Sequence, residues 1–179
     1  VMDPIATITI KKDTTFAMTG NYIFPQSGGE ESTFRRVAVQ SDGKIVISGR
    51  LKSSSGLYDA LLLRLKDDGS PDSTFSSDGI AIIDLGSYDE EVTGMILQAN
   101  GDILIGGTYQ DPVGITAMDL VAKILANGNP DVTFGTGGVT YAQSSTGFAM
   151  DYITDMVMHP NGNIFLGGYS TGSFPNYSF

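Results

Sequence analysis

The chain has 179 residues, and its 20 acidic side chains outnumber its 10 basic ones, which leaves a net charge of −10. Such a charge repels nucleic-acid phosphates and anionic lipid headgroups, so we expect no nucleic-acid partner and no membrane insertion. Cysteine is absent, which excludes disulfides and thiolate metal sites. The first residue is Val1, and no basic flank of a signal peptide precedes an apolar run, so we expect a processed or excised piece.

Three phrases recur along the chain with a period of about 59 residues. The first is DTTFAMTG at 13–20, DSTFSSDG at 72–79 and DVTFGTGG at 131–138, called below the first, second and third corners. The second is VQSDGKIVISG at 39–49, LQANGDILIGG at 97–107 and MHPNGNIFLGG at 158–168. The third is LRLKDDGSPD at 63–72, which returns as AKILANGNPD at 122–131. A fixed period of this length predicts a repeat architecture.

In chain order, each complete period predicts four strands, a to d, joined by Asp-Gly or Asn-Gly turns that suit antiparallel pairing. The chain begins in mid-unit, with strand c at 5–12 and strand d at 21–24. A complete unit follows at 37–85, with strands a at 37–40, b at 44–49, c at 60–66 and d at 80–85. A second unit spans 95–142, and strands a and b of a third unit lie at 153–168.

The predicted strands are apolar on both faces, and no segment between them has helical periodicity, so the sheets must cover one another. We therefore predict an all-β fold of repeated four-stranded antiparallel units, either β-propeller-like or a stacked-sheet solenoid. Three units are fewer than propellers usually contain. The out-of-phase ends leave four alternatives open: closure within one chain, a pair of chains, an open fibre, or a slice of a longer array.

The phrases VAVQSDGKIVISGR and LLRLKDDGSPDSTFSSDG resemble the delta-60 repeat family, as does AKILANGNPDVTFGTGGV. The resemblance extends over roughly residues 5–168. It implies a β-propeller-like domain of a bacterial surface or secreted protein, and no enzymatic activity. The first corner departs from the family pattern because it lacks the preceding Asp-Gly, and the third unit ends after strand b.

The corner residues are expected to have an architectural role, because they recur once in every unit. Each aspartate would accept backbone N–H groups in a turn, each phenylalanine would fill the space between units, and each glycine would relax the backbone before strand d. These positions are Asp13, Phe16, Gly20, Asp72, Phe75, Gly79, Asp131, Phe134 and Gly138.

Other candidate sites have weak signals, and we predict no catalytic, metal or cofactor site. The acidic segment 66–79 has oxygen ligands of the kind that calcium binds, but its counterpart at 125–138 keeps only Asp131 among the carboxylates. The single histidine, His159, lies in a predicted turn, and no nucleophile motif accompanies it. The acidic run 88–91 is expected to be a solvated connection.

The connections between strands b and c, and between d and a, differ in every unit, and such loops are where specific surfaces evolve. We therefore name Tyr58, Tyr109 and Phe148 as exposed candidates for partner or glycan contacts, with core packing as the alternative. The sequence favours a non-enzymatic extracellular structural or adhesive module at the bacterial surface, which self-associates through open strand edges. A ligand-binding or glycan-binding propeller is the alternative, and an enzyme, such as a hydrolase or lyase, is a more distant one.

Overall fold

A computed structural model describes residues 13–25, 31–85, 88–110, 117–142 and 150–171. Within these ranges the chain contains ten β-strands, one 3-10 turn at Phe16–Met18 and no α-helix. The prediction of an all-β fold is thus confirmed.

The strands form three antiparallel sheets that follow one another along the chain. The first sheet consists of β1 (Ser32–Val39), β2 (Ile45–Lys52), β3 (Tyr58–Leu65) and β4 (Ile80–Ile83), paired in that order. The second sheet repeats this arrangement with β5 (Asp89–Leu97), β6 (Ile103–Gln110), β7 (Ala117–Ile124) and β8 (Val139–Ala142). The third sheet pairs β9 (Met150–Met158) with β10 (Ile164–Thr171).

Tight turns connect the first two strands of each sheet. In the first sheet, Gln40 N–H donates to Lys44 O at 2.7 Å and Gly43 N–H donates to Gln40 O at 2.9 Å. Gly43 has φ of 87°, a left-handed conformation that glycine adopts without steric cost. The Asp-Gly and Asn-Gly phrases therefore do what the sequence predicts, and join antiparallel neighbours.

The structure differs from the prediction near the N-terminus and at the start of the first complete unit. Residues 21–24 were expected to be a strand but belong to none, and the expected strand at 5–12 lies outside the described residues. The first strand of the complete unit begins at Ser32, five residues before the predicted 37–40. It was predicted too short because a β-bulge interrupts the regular alternation of its side chains.

That bulge recurs at the same place in every sheet. It lies at Arg35 in the first sheet, Thr93 in the second and Thr154 in the third. Across from each bulge is a glycine of the following strand, namely Gly49, Gly107 or Gly168. A Cβ at any of these glycines would overlap a backbone carbonyl oxygen of the bulged strand. The repeated glycine of the second phrase thus allows the bulged backbone to approach closely.

The sheets pack face to face, and each interface between successive sheets is a seam. In the first seam, Val46, Leu62 and Ala81 of the first sheet pack with residues such as Ile105 and Leu120 of the second. Because neighbouring residues of a strand point to opposite faces, Leu104 and Val121 lie on the other side of the second sheet. There they form the second seam with the third sheet. The expectation that sheets cover one another is confirmed.

The row of sheets is open within the described part of the chain. The third sheet contains only β9 and β10, and no described strand pairs with the outer edge of β10. The strands within the described ranges therefore do not close the sheets into a ring.

Candidate functional site

The aspartate of each corner holds a turn. Asp72 accepts the backbone N–H of Thr74 at 3.1 Å and its hydroxyl at 2.7 Å. The same two bonds join Asp13 to Thr15, at 2.9 and 2.5 Å, and Asp131 to Thr133, at 3.1 and 2.5 Å. Gly20, Gly79 and Gly138 all have positive φ, between 77° and 98°. The corner is a turn motif built three times from the same residue types.

Each of the first two corners docks on a turn of the next unit. Ala17 of the first corner donates its N–H to Asp68 O at 2.7 Å, and Ser76 of the second corner donates to Asn127 O at 2.8 Å. The phenylalanine ring lies against the glycine of that turn, since a Cβ at Gly128 would be 3.2 Å from the Phe75 ring. The phenylalanines thus fill positions between units.

The three phenylalanines differ in burial. Phe75 is completely buried, whereas Phe16 and Phe134 are half-buried. In the described part of the chain, no turn occupies the third corner as the Asn127 turn occupies the second. The third corner therefore keeps an open side toward a following unit.

Charged side chains reinforce the second and third corners with opposite patterns. In the first unit, Asp72 lies between two cations: Arg64 Nε at 2.8 Å and Lys44 Nζ at 3.9 Å. Burial acts to raise the pKa of Asp72, but the Thr74 hydrogen bonds and the two cations outweigh it and lower that pKa. Arg64 also donates to Ala126 O of the second unit at 2.7 Å and lies over the Phe75 ring. This cluster ties two units together.

In the second unit a cation lies between two carboxylates. Lys123 Nζ is 2.9 Å from Asp131 and 3.2 Å from Asp102. The Thr133 hydroxyl, followed by Lys123, lowers the pKa of Asp131 to about 2. Asp102 occupies the repeat position that Lys44 has in the first unit, so the sign of the charge is reversed there.

The opposite end of the sheets carries the connections that differ between units, and we call it the variable end. Tyr58 is half-buried there rather than exposed: Arg50 stacks on its ring at 4.2 Å, and its hydroxyl donates to Glu31 at 2.7 Å. Both partners hold the ring in place at the start of β3. A ligand-binding role of Tyr58 stays a prediction.

Tyr109 is also half-buried, and it joins an aromatic cluster with Tyr88 and Tyr141. Its ring centroid is 4.4 Å from that of Tyr88 and 5.3 Å from that of Tyr141. Tyr141 is 44% exposed, so part of the cluster faces solvent. Phe148, the third sequence candidate, lies outside the described residues.

The acidic run 88–91 is not the solvated connection that was expected. It enters β5, and Glu90 is completely buried while Glu91 is half-buried. Neither Glu90 carboxylate oxygen has a well-formed hydrogen bond among the described residues. Burial, followed by the nearby Asp59 and Asp84, raises the pKa of Glu90 to about 8. At neutral pH this carboxyl is therefore mainly protonated.

Glu91 links the first two sheets at the variable end. Arg35, the bulged residue of β1, donates to Glu91 Oε1 through Nε at 2.9 Å and through Nη2 at 2.5 Å. Arg50 donates to Glu91 Oε2 at 3.2 Å. In the second seam the bulged Thr93 takes the corresponding place and donates to Ile153 O at 2.6 Å. In both seams, therefore, the side chain of the bulged residue is polar and forms a hydrogen bond with the next sheet.

No metal site is assembled by the residues that the structure describes, since no three histidine or carboxylate side chains there are grouped to hold an ion. In the acidic segment 66–79, Asp68 accepts from Ser70 and Asp78 accepts from the Ile80 backbone N–H. Within the described ranges no helix has the length and apolar character needed to cross a bilayer.

Two functional groups were missed by sequence reasoning. Arg64 was treated only as part of an apolar strand. Its repeat position holds a cation in both complete units, Arg64 and Lys123, and this was a signal that the residue pairs with the corner aspartate that follows it. Glu90 was read as solvated, although it alternates with Val92 on one face of the strand. Both act between sheets, and such contacts are not visible in a single unit.

The sheets and their repeated seams define a β-propeller-like repeat fold. Residues 40–75 match the family model described as "Domain of unknown function (DUF5122) beta-propeller". The matched stretch runs through β2 and β3 to Phe75 of the second corner, so it contains two of the four strands that the first sheet contributes to the first seam. None of the curated proteins compared with the chain matches it.

Proposed function

We propose that the chain is a non-enzymatic structural or adhesive module of delta-60 type, exposed at a bacterial surface or secreted. It self-associates by joining further repeat units through open strand edges. Its acidic surface and lack of cysteine are compatible with that location.

One observation carries the proposal: the contact between a corner and a turn of the next unit occurs twice in succession. A third corner is present, and no turn in the described chain contacts it in this way. The first and second corners dock on the Asp68 and Asn127 turns, while the third corner is open. No described strand pairs with the outer edge of β10, and an open edge of this kind templates the addition of a strand.

The experiment is light scattering coupled to size-exclusion chromatography over a range of protein concentrations, with amide hydrogen exchange of the same samples. We expect masses of two or more chains and slower exchange in β10 as concentration rises, because its edge becomes paired. A compact monomer at every concentration, with unchanged exchange in β10, contradicts self-association.

The aromatic cluster of Tyr88, Tyr109 and Tyr141 favours a second candidate, binding of a glycan at the variable end. These rings are in contact and tilted relative to one another, so they offer an apolar platform, and their hydroxyl groups can form hydrogen bonds. A glycan array is the test, repeated with Tyr109→Ala, Tyr141→Ala and Tyr58→Ala. Ile82→Ala, which changes an exposed side chain of β4, is the control. Absence of any bound glycan counts against this candidate.

A further inference from the structure

One half of the first sheet is uncovered on the face that points away from the second sheet. The strand register places Val37, Ile47 and Leu63 side by side on that face, followed by a parallel row of Val39, Ile45 and Leu65. The two leucines on β3 are buried, but Val37 is 68% and Val39 65% exposed. The uncovered area therefore lies over strands β1 and β2.

The third sheet has a matching uncovered face on the side away from the second sheet. Val157 and Phe165 lie directly opposite each other there and are 61% and 55% exposed. The third sheet consists of two strands, the counterparts of β1 and β2. Its width thus corresponds to the uncovered half of the first sheet.

The repeat alignment shows that these two faces are the complementary halves of one seam. Val157 and Phe165 correspond to Ile96 and Leu104 of the second sheet. In the second seam, those two residues pack against side chains of the third sheet: Met156, Met158, Ile164 and Leu166. The counterparts of these four in the first sheet are Val37, Val39, Ile45 and Ile47. Both sides of a further seam are therefore present, one at each end of the row of sheets.

The residues of one polar contact in the first seam also have counterparts at the two ends of the row of sheets. Gln40, in the turn after β1, donates its side-chain amide to Gly101 O of the next unit at 3.2 Å. His159 occupies the position of Gln40 in the third unit, and Gly43 occupies that of Gly101 in the first. A third sheet placed on a first sheet would bring His159 to a carbonyl oxygen of the same kind.

We propose that the third sheet of one copy packs on the first sheet of a second copy, in a head-to-tail seam centred on Phe165, Val157, Val37 and Val39. This inference rests on the proposed self-association, and it adds a face-to-face contact to the pairing of the open strand edge. In the described part of one chain these apolar side chains stay exposed, although Arg36 of the first sheet donates to Thr154 O of the third sheet at 2.5 Å. A head-to-tail contact is heterologous, and it builds either a closed ring or a fibre.

The test uses two variants that each block one side of the seam, Val37→Lys and Phe165→Lys. Both positions are more than half exposed, so folding should persist, which circular dichroism checks. Each variant alone is expected to be monomeric by light scattering, because every possible seam contains a buried lysine. An equimolar mixture is expected to form dimers and nothing larger, because one unaltered pair of faces remains. The control, Ile82→Lys on β4, should assemble like the wild type.

The outcomes separate this inference from the proposed function. If the wild type assembles and both lysine variants still assemble, the seam is wrong while self-association stands. If mixing does not restore a dimer, the contact is not head-to-tail and the inference fails. If the wild type is monomeric throughout, self-association and the seam are both refuted.

Discussion

Arg64 donates its Nε–H to Asp72 across 2.8 Å, and both side chains are almost completely buried beside the first seam. The same guanidinium reaches Ala126 O of the second unit and covers the Phe75 ring. A single residue of β3 therefore connects a corner, a core aromatic and a turn of the neighbouring unit. Its pair with Asp72 is an interaction whose loss leaves a buried charge without a partner.

Asp72→Ala is expected to lower the free energy of unfolding by about 3–5 kcal/mol, because the buried Arg64 guanidinium loses its carboxylate partner. The matched control is Asp131→Ala at the same place in the third corner, where the carboxylate is more exposed and Lys123 keeps Asp102 as a partner. Urea denaturation of both variants measures the difference. Equal losses for the two variants contradict the interpretation.

Gly107→Ala is expected to destabilise the fold by at least about 1–3 kcal/mol, because the added methyl group overlaps the Glu91 carbonyl oxygen at the bulge. The control is Gly167→Ala, one position before the equivalent glycine of the third sheet, since its Cβ would come no closer than 4.0 Å to the Asp155 carbonyl oxygen. Thermal unfolding of both proteins is the measurement. A Gly107→Ala protein as stable as the control shows that the bulge adapts.

Ser76→Gly is expected to raise the free energy of unfolding by up to about 1 kcal/mol. Ser76 has φ of 51°, a left-handed conformation that is costly for residues with a Cβ, and the third corner has Gly135 at this position. Thr136→Gly is the control: Thr136 is not among the positive-φ residues, so the change should only add flexibility to the unfolded chain. Stabilisation by both substitutions, or by neither, contradicts strain at Ser76.

Stability is expected to fall as the pH rises from about 4.5 to about 8, because of Glu90. Its folded-state pKa is raised from 4.5 to about 8 by burial and by the carboxylates of Asp59, Asp84 and Asp89. Over this window the folded state keeps a proton that the unfolded state has lost, so the contribution of Glu90 is greatest below pH 4.5 and is lost by pH 8.

The measurement compares urea unfolding of the wild type and Glu90→Gln at several pH values. Because glutamine does not titrate, the free energy of unfolding of the variant, relative to that of the wild type, should increase by up to about 1.4 kcal/mol per pH unit within the window. A difference between the two proteins that is flat from pH 5 to 8 means that Glu90 is ionised in the folded state.

The period, the four-strand unit and the corner positions could be predicted from the sequence because each follows from local patterns that recur. Asp72 and Gly79, for example, have a turn role that short-range chemistry dictates. The environment of Glu90 could not be predicted in this way, since acidic runs are usually solvated and its burial depends on the first sheet covering β5. The early start of β1 could not be predicted for a related reason. The bulge at Arg35 can be recognised only together with Gly49, which lies opposite it on the next strand.

The reversed charges at Lys44 and Asp102 have a consequence for anyone who redesigns the repeat. Each of the two complete units holds a matched set of three charges. Asp102→Lys alone would bring two ammonium groups together, because Lys123 Nζ lies 3.2 Å from the Asp102 carboxylate. A consensus sequence that averages the units position by position would mix the two sets. Because the three charges of each set are matched to one another, we expect that they can be exchanged between these two units only as whole sets.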